Sequence, residues 1–247
     1  MKICVAQTKP IKGNIPKNIE NHKKLINLAV ANGADMIVFP ELSLTGYEPT
    51  LAKALATTKE DVQFNDFQDI SDKHQIIIGV GMPIHSNQNI NIAMILFHPN
   101  KPRQMYSKKY LHSSEEPFFV SGENTIGLLC ENYNIALAIC YELSVPEHSE
   151  NAFKMGAEIY IASVVEDTID KAIVKLTNTS KKYGMTVLMA NCVGQSGEYL
   201  CDGKSSIWNS KGELLGQLNT TDEGILIMDT NTQKLVAKSY YSMALIH

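Results

Sequence analysis

The chain has 247 residues, 44% of them hydrophobic, and a formal net charge of −4. That length can bury one sizeable core, while mild acidity with no basic run argues against nucleic acid and anionic membrane as partners. No apolar stretch reaches the roughly 20 residues that span a bilayer, MKICVAQT does not read as a signal peptide, and five widely spaced cysteines without CxxC fit free thiols in a cytoplasmic protein.

Ile3 to Thr8 is a predicted strand. Ile15, Ile19, His22, Ile26 and Ala29 then share one helical face, and Gly33 stops the helix. Met36 to Phe39 is a buried strand that runs into Pro40-Glu41, and a weaker helix carries Val62, Phe67 and Ile70. Strands at 76–81 and 92–98 are joined by the turn-like SNQN, a further strand covers 103–107, and 109–123 reads as a loop. The order then starts again. A strand at 135–139 ends on Cys140, and a helix follows at 146–156 with Pro near its start and Gly at its end. Next come a strand at 159–163, a helix at 171–184, and strands at 186–192, 205–209, 214–218 and 224–228. Both halves read strand–helix–strand–helix–strands. This predicts a single α/β domain over 1–247 built of two related halves, with SYYSMALIH, 239–247, as a C-terminal tail.

Three polar residues sit where a strand gives way to a loop: Glu41, Lys108 and Cys140. The carboxyl ends of strands are the usual place for a site in α/β sheets. Taken singly, a strand-end Glu or Lys is usually solvated surface and a strand-end Cys is usually core. Their chemistry is complementary, however. A thiol attacks as a thiolate, a carboxylate can take its proton, and an ammonium can hold the oxyanion formed at a carbonyl. GKSS at Gly203 has Glu198 where a phosphate loop needs glycine, and Gly79-Val-Gly81 lacks a third glycine. His112 with Glu115 and Glu116, or Glu147 with His148, match no helical metal spacing, so no metal or cofactor is expected. Cys4, Cys130 and Cys192 read as core residues, and Cys201 as part of a polar loop.

The segments VFPELSLTGY (38–47), YSKKYLHSSEEPFFVSGE (106–123), ICYELSVPE (139–147), NCVG (191–194) and GKSSIWNSKGELL (203–215) occur in that order. Together they resemble the nitrilase superfamily of carbon–nitrogen hydrolases, from about Lys2 to about Met228. The resemblance implies an α-β-β-α sandwich with Glu41 as base and Cys140 as nucleophile. It selects Lys108, three residues before Leu111, over Lys109. It also implies a second glutamate followed by an aromatic, for which Glu116 ahead of Phe118-Phe119 fits best and Glu115 is the alternative. The backbone N–H of Tyr141 would join Lys108 on the oxyanion. The expected activity is cofactor-independent hydrolysis of a small amide through a cysteine thioester, releasing ammonia or an amine. Nitrile or N-carbamoyl hydrolysis by the same residues, or a silent binding protein of this fold, are the alternatives. A homodimer or larger homo-oligomer is expected. Several branches of the family carry an arginine where this chain has Ser144, so amides ending in a carboxylate are not expected to be preferred.

Overall fold

Two β-sheets stacked face to face and covered by helices make up the described residues, 1–123 and 134–240, of the computed structural model. In chain order the elements are β1 (Lys2–Gln7), α1 (Ile15–Ala31), β2 (Met36–Val38), a short α2 (Ala52–Leu55), α3 (Asn65–His74), β3 (Ile77–Ser86), β4 (Asn89–Phe97) and β5 (Gln104–Ser107). The second half supplies β6 (Ile135–Ile139), α4 (Pro146–Lys154), β7 (Ile159–Ser163), α5 (Ile169–Tyr183) and β8 (Thr186–Ala190). It continues with β9 (Val193–Ser196), β10 (Tyr199–Asp202), β11 (Ser206–Trp208) and β12 (Leu214–Gln217). The chain then returns with β13 (Glu223–Asp229) and β14 (Leu235–Tyr240).

The first sheet runs β14-β13-β1-β2-β3-β4-β5 and the second β12-β11-β8-β7-β6. Each has a parallel centre, β1-β2-β3 and β6-β7-β8. These central strands are apolar runs because both of their faces are covered. Side-chain alternation divides the apolar groups between layers. Ile3, Val5 and Val38 meet Leu137, Ile161 and Leu188 between the sheets. Cys4, Ile37 and Ile78 turn outward against Ile26 of α1 and Phe67 of α3. Ala138, Tyr160 and Val187 do the same against Ala172 and Leu176 of α5. The result is the α-β-β-α sandwich of two related halves.

Several elements differ from expectation. Val62 is 77% exposed in a short turn, and α3 begins only at Asn65, since no partner surface covers the Val62 side. The β9–β10 hairpin and β14 were not anticipated; their alternation is broken by polar residues and glycine. Ser239 and Tyr240, expected in the tail, instead close β14 and pair with β13; the rest of that segment, 241–247, and Cys130 lie outside the described residues. Cys201 is buried in β10 and packs into the core between the sheets. Among the described residues no helix is long and apolar enough to cross a membrane.

Candidate active site

Lys108 and Cys140 follow directly on β5 and β6, Glu41 lies three residues past the end of β2, and the stacking of the two sheets brings the three strand ends together. The Lys108 ammonium lies 2.8 Å from Glu41 Oε1 and 2.6 Å from Glu115 Oε1, with all three side chains buried. One cation therefore sits between two carboxylates out of contact with bulk water, where removing a partner is costly.

The backbone around each group is tied down. The loop after β2 is stapled to β3: Phe39 N–H donates to Gly79 O, Leu44 N–H to Gly81 O, and Gly81 N–H to Ser43 Oγ. A Cβ on Gly81 would fall 2.5 Å from Pro40 O and collide with Leu42 N, so only glycine allows this approach. Leu42 itself has φ 48°. Lys108 donates its N–H to Ile92 O and accepts at its carbonyl from Gly122 N–H. Across the sheets, Ser163 Oγ donates to Phe39 O at 2.8 Å, locking β7 to the end of β2.

Cys140 has φ 44°, in the left-handed region that a non-glycine residue rarely adopts. Such outliers persist where the surroundings over-determine them, often at working sites. Here Glu142 is the support. Its buried carboxylate accepts from the N–H groups of Ile139 at 2.7 Å and Lys109 at 2.7 Å and from Tyr106 Oη at 2.8 Å. The Tyr106 hydroxyl also meets His148 Nε2 at 2.9 Å, and His148 Nδ1 meets Tyr160 Oη at 2.8 Å. This network behind the turn connects the strand ends carrying Lys108 and Cys140. Glu142 thus has a structural role. Glu147, by contrast, is exposed in the first turn of α4.

Of the two candidates, the glutamate that lies beside Lys108 is Glu115. It is buried, accepts from Lys108, from Tyr47 Oη at 3.0 Å and from His112 N–H at 2.8 Å. Glu116, which fitted best by its spacing to Phe118-Phe119, is exposed. The reason is a helical turn: Phe118 and Phe119 N–H groups both donate back to Glu115 O, so neighbours in sequence face opposite ways. Tyr141 is 37% exposed, its ring edge-on to His112 at 5.2 Å. Tyr47, Tyr106 and Asn191 take part in or beside the site, although nothing but their membership in the quoted segments marked them in the sequence.

Electrostatics set the resting protonation. Burial raises Glu41 to about 7, against the pull of Lys108 and with a further push from Glu115. Its Oε2 has no hydrogen-bond partner among the described residues, and the Cys140 thiol lies close enough to the carboxylate to steady its charge. Burial opposes the Lys108 charge, but Glu41, Cys140 and Glu115 outweigh it and drive the pKa up. Burial and the Glu41 carboxylate push the Cys140 thiol well above its ordinary value, with Lys108 pulling the other way. The sulfur is a neutral thiol at rest, its S–H directed to Val165 O at 3.7 Å. Cys140 opens on a small cavity of about 170 Å³ whose wall includes Tyr47, Tyr141, Glu166, Asp167 and Tyr199. The arrangement suits transfer of a thiol proton to an adjacent carboxylate, beside a fixed ammonium.

Comparison with known proteins agrees with this fold. A cysteine-to-alanine variant of the amidase from Nesterenkonia sp. AN1, solved in complex with butyramide, superposes with a TM-score of 0.83 at 22% identity, covering 92% of this chain and 89% of that one. The "Hydrolase in agr operon" of Staphylococcus aureus is 26% identical over 246 residues, 95% of this chain and 93% of that protein. The glutamine-dependent NAD(+) synthetase of Synechocystis sp. is 23% identical over 279 residues, 99% of this chain but 49% of that protein. The chain spans about half the length of the NAD(+) synthetases it matches. The carbon–nitrogen hydrolase family model matches residues 2–239, and the chain belongs to that family.

Proposed function

We propose that this chain hydrolyses the C–N bond of a small amide through a thioester on Cys140. The observation that carries the reading is the buried Glu41–Lys108–Glu115 cluster beside a thiol held on a left-handed backbone. Glu41 takes the Cys140 proton as sulfur attacks the carbonyl carbon. The oxyanion is held by the Lys108 ammonium and by the Tyr141 N–H, which lies in the first turn after β6, where an N–H has no partner within its own helical turn. Collapse breaks the C–N bond, and Glu41 returns the proton to the leaving ammonia or amine. Glu41 then takes a proton from water, hydroxide adds to the thioester, and the acid departs as Cys140 regains its proton. Glu115 keeps Lys108 charged and in place. No step calls on a metal or an organic cofactor.

The test is ammonia release over a panel of small amides, with glutamine, a nitrile and an N-carbamoyl amine included. Turnover of an amide is expected in wild-type protein, surviving chelation and needing no ATP. Cys140→Ala, Glu41→Gln and Lys108→Met should each abolish it, and double variants should be little worse than singles because the groups act as a unit. If Cys140→Ala keeps more than about a tenth of the turnover, about 1.4 kcal/mol in barrier, the nucleophile is misassigned.

A further inference from the structure

We propose that Glu166 makes this site select amides whose acyl chain carries a positive charge, and disfavour those ending in a carboxylate. The inference rests on the amide-hydrolysis reading and specifies its substrate class.

Glu166 follows Val165, whose carbonyl accepts from Cys140 Sγ, so it stands one residue from the nucleophile's own partner. Its backbone is clamped on both sides by one buried side chain: Glu166 N–H donates to Asn191 Oδ1 at 3.0 Å, and Asn191 Nδ2 donates to Glu166 O at 3.1 Å. Asn191 is fixed in turn by Gly203 O and Ser205 Oγ. The Glu166 side chain is half-buried in the cavity wall, and its carboxylate has no hydrogen bond or ion pair among the described residues. A carboxylate taken partly out of water without a partner is unfavourable unless something pairs with it. Burial accordingly raises its pKa, more than Lys175, Lys108 and Lys171 lower it, and Asp167 adds to the rise.

The rest of the wall favours the same sign. Among the described residues no lysine or arginine lines the cavity. Lys108 lies beneath it, spoken for by two glutamates. Lys175 reaches the rim but donates to Ser144 Oγ at 2.7 Å. Tyr47, Tyr141 and Tyr199 supply aromatic surface, which attracts ammonium groups electrostatically. The volume, about 170 Å³, admits a chain of about five or six non-hydrogen atoms at the roughly 30 Å³ that a water occupies. An amide with an amino group a few carbons from its carbonyl would put carbonyl at Cys140 and ammonium at Glu166.

Three amides of matched length test this: γ-aminobutyramide, butyramide and succinamate. Their affinities are measured by calorimetry on Cys140→Ala, and kcat/KM is measured on the active protein. The expected order is γ-aminobutyramide, butyramide, succinamate, with about tenfold between the first two, the factor that corresponds to about 1.4 kcal/mol. In Glu166→Gln that ratio should shrink to about twofold, through KM, and Asp167→Asn should shrink it less. A preference for succinamate, or a cationic preference that Glu166→Gln leaves intact, overturns the proposal; a succinamate preference lost in Lys175→Met would show that the wall reads anions through Lys175. Should none of the three be turned over while Cys140→Ala still binds them in the expected order, charge selection stands and the amide-hydrolysis reading fails.

Discussion

As the proposed base Glu41 must be ionised, and its pKa of about 7 places that condition inside the ordinary working range. We expect kcat/KM to rise with pH through about 7 and level off above it, since protonated Glu41 cannot accept the thiol proton. A profile that is flat from about pH 5 to about pH 9 would remove Glu41 from that role. The neutral resting thiol makes a second expectation. Alkylation of Cys140 by iodoacetamide should depend on Glu41, so Glu41→Gln should slow it at pH 7.5 by about tenfold or more, in line with the usual worth of a positioned base. Lys108→Met should in addition destabilise the fold by about 3 kcal/mol in thermal melts, because two buried carboxylates lose their shared cation. At this scale the sequence already marked Glu41, Lys108 and Cys140, each by its strand end and quoted segment. It could not separate Glu115 from Glu116, since both precede the same aromatics and only the turn through 112–119 decides which one points inward.

Two glycines of β3 show how the elements hold these groups. A Cβ on Gly79 would press on the flexible Met94 side chain at 2.9 Å, which can move aside. A Cβ on Gly81 would press on the backbone of Pro40, Glu41 and Leu42, which cannot. Gly81→Ala is therefore expected to cost a few kcal/mol and most of the turnover, by shifting Glu41, whereas Gly79→Ala should cost about 1 kcal/mol and leave kcat nearly intact. Equal effects of the two in urea melts and kinetics would contradict this division. Read as sequence, GVG was only an incomplete dinucleotide fingerprint. The long apolar runs of β1, β2 and β6 to β8 were legible because both faces are covered, and α1 and α5 because their apolar stripes are wide. β9, β10 and β14 were not, because edge strands and hairpins draw their pairing from backbone partners rather than from an apolar pattern.

Across the whole molecule, stacking two sheets buries titratable groups far from the surface. His22, held by Asn18 O and Ser43 Oγ, is lowered by burial to about 3, and His148 likewise to about 4. Both lie below the unfolded value of about 6.5, so below that pH the unfolded chain binds more protons than the folded one. Their contribution is fully present above about pH 6.5 and is lost as pH falls toward about 4. Glu41, Glu142, Glu166 and Glu223, raised in the folded state by burial, act in the opposite sense. His148→Gln should therefore lose less stability than the wild type between pH 6.5 and pH 4.5, by up to about 1.4 kcal/mol per pH unit, in thermal melts. An equal pH dependence of the two proteins over this window would refute the assignment of a neutral buried His148. Light scattering of the purified chain tests the expected homo-oligomer.

Apolar run lengths, helical periodicity and the order of strand-end Glu, Lys and Cys were enough to indicate an α/β chain of two similar halves, its family resemblance and three residues of its site, because each is a local property of a segment. The return of β13 and β14 to the first sheet, the burial of Cys201, the choice of Glu115, the clamp of Gly81 on Glu41 and the unpaired carboxylate of Glu166 were not legible. Each depends on which distant backbone or side chain comes within a few ångströms once the sheets stack, and residues 2 to 7 pairing with 224 to 229 leave no mark in either segment alone.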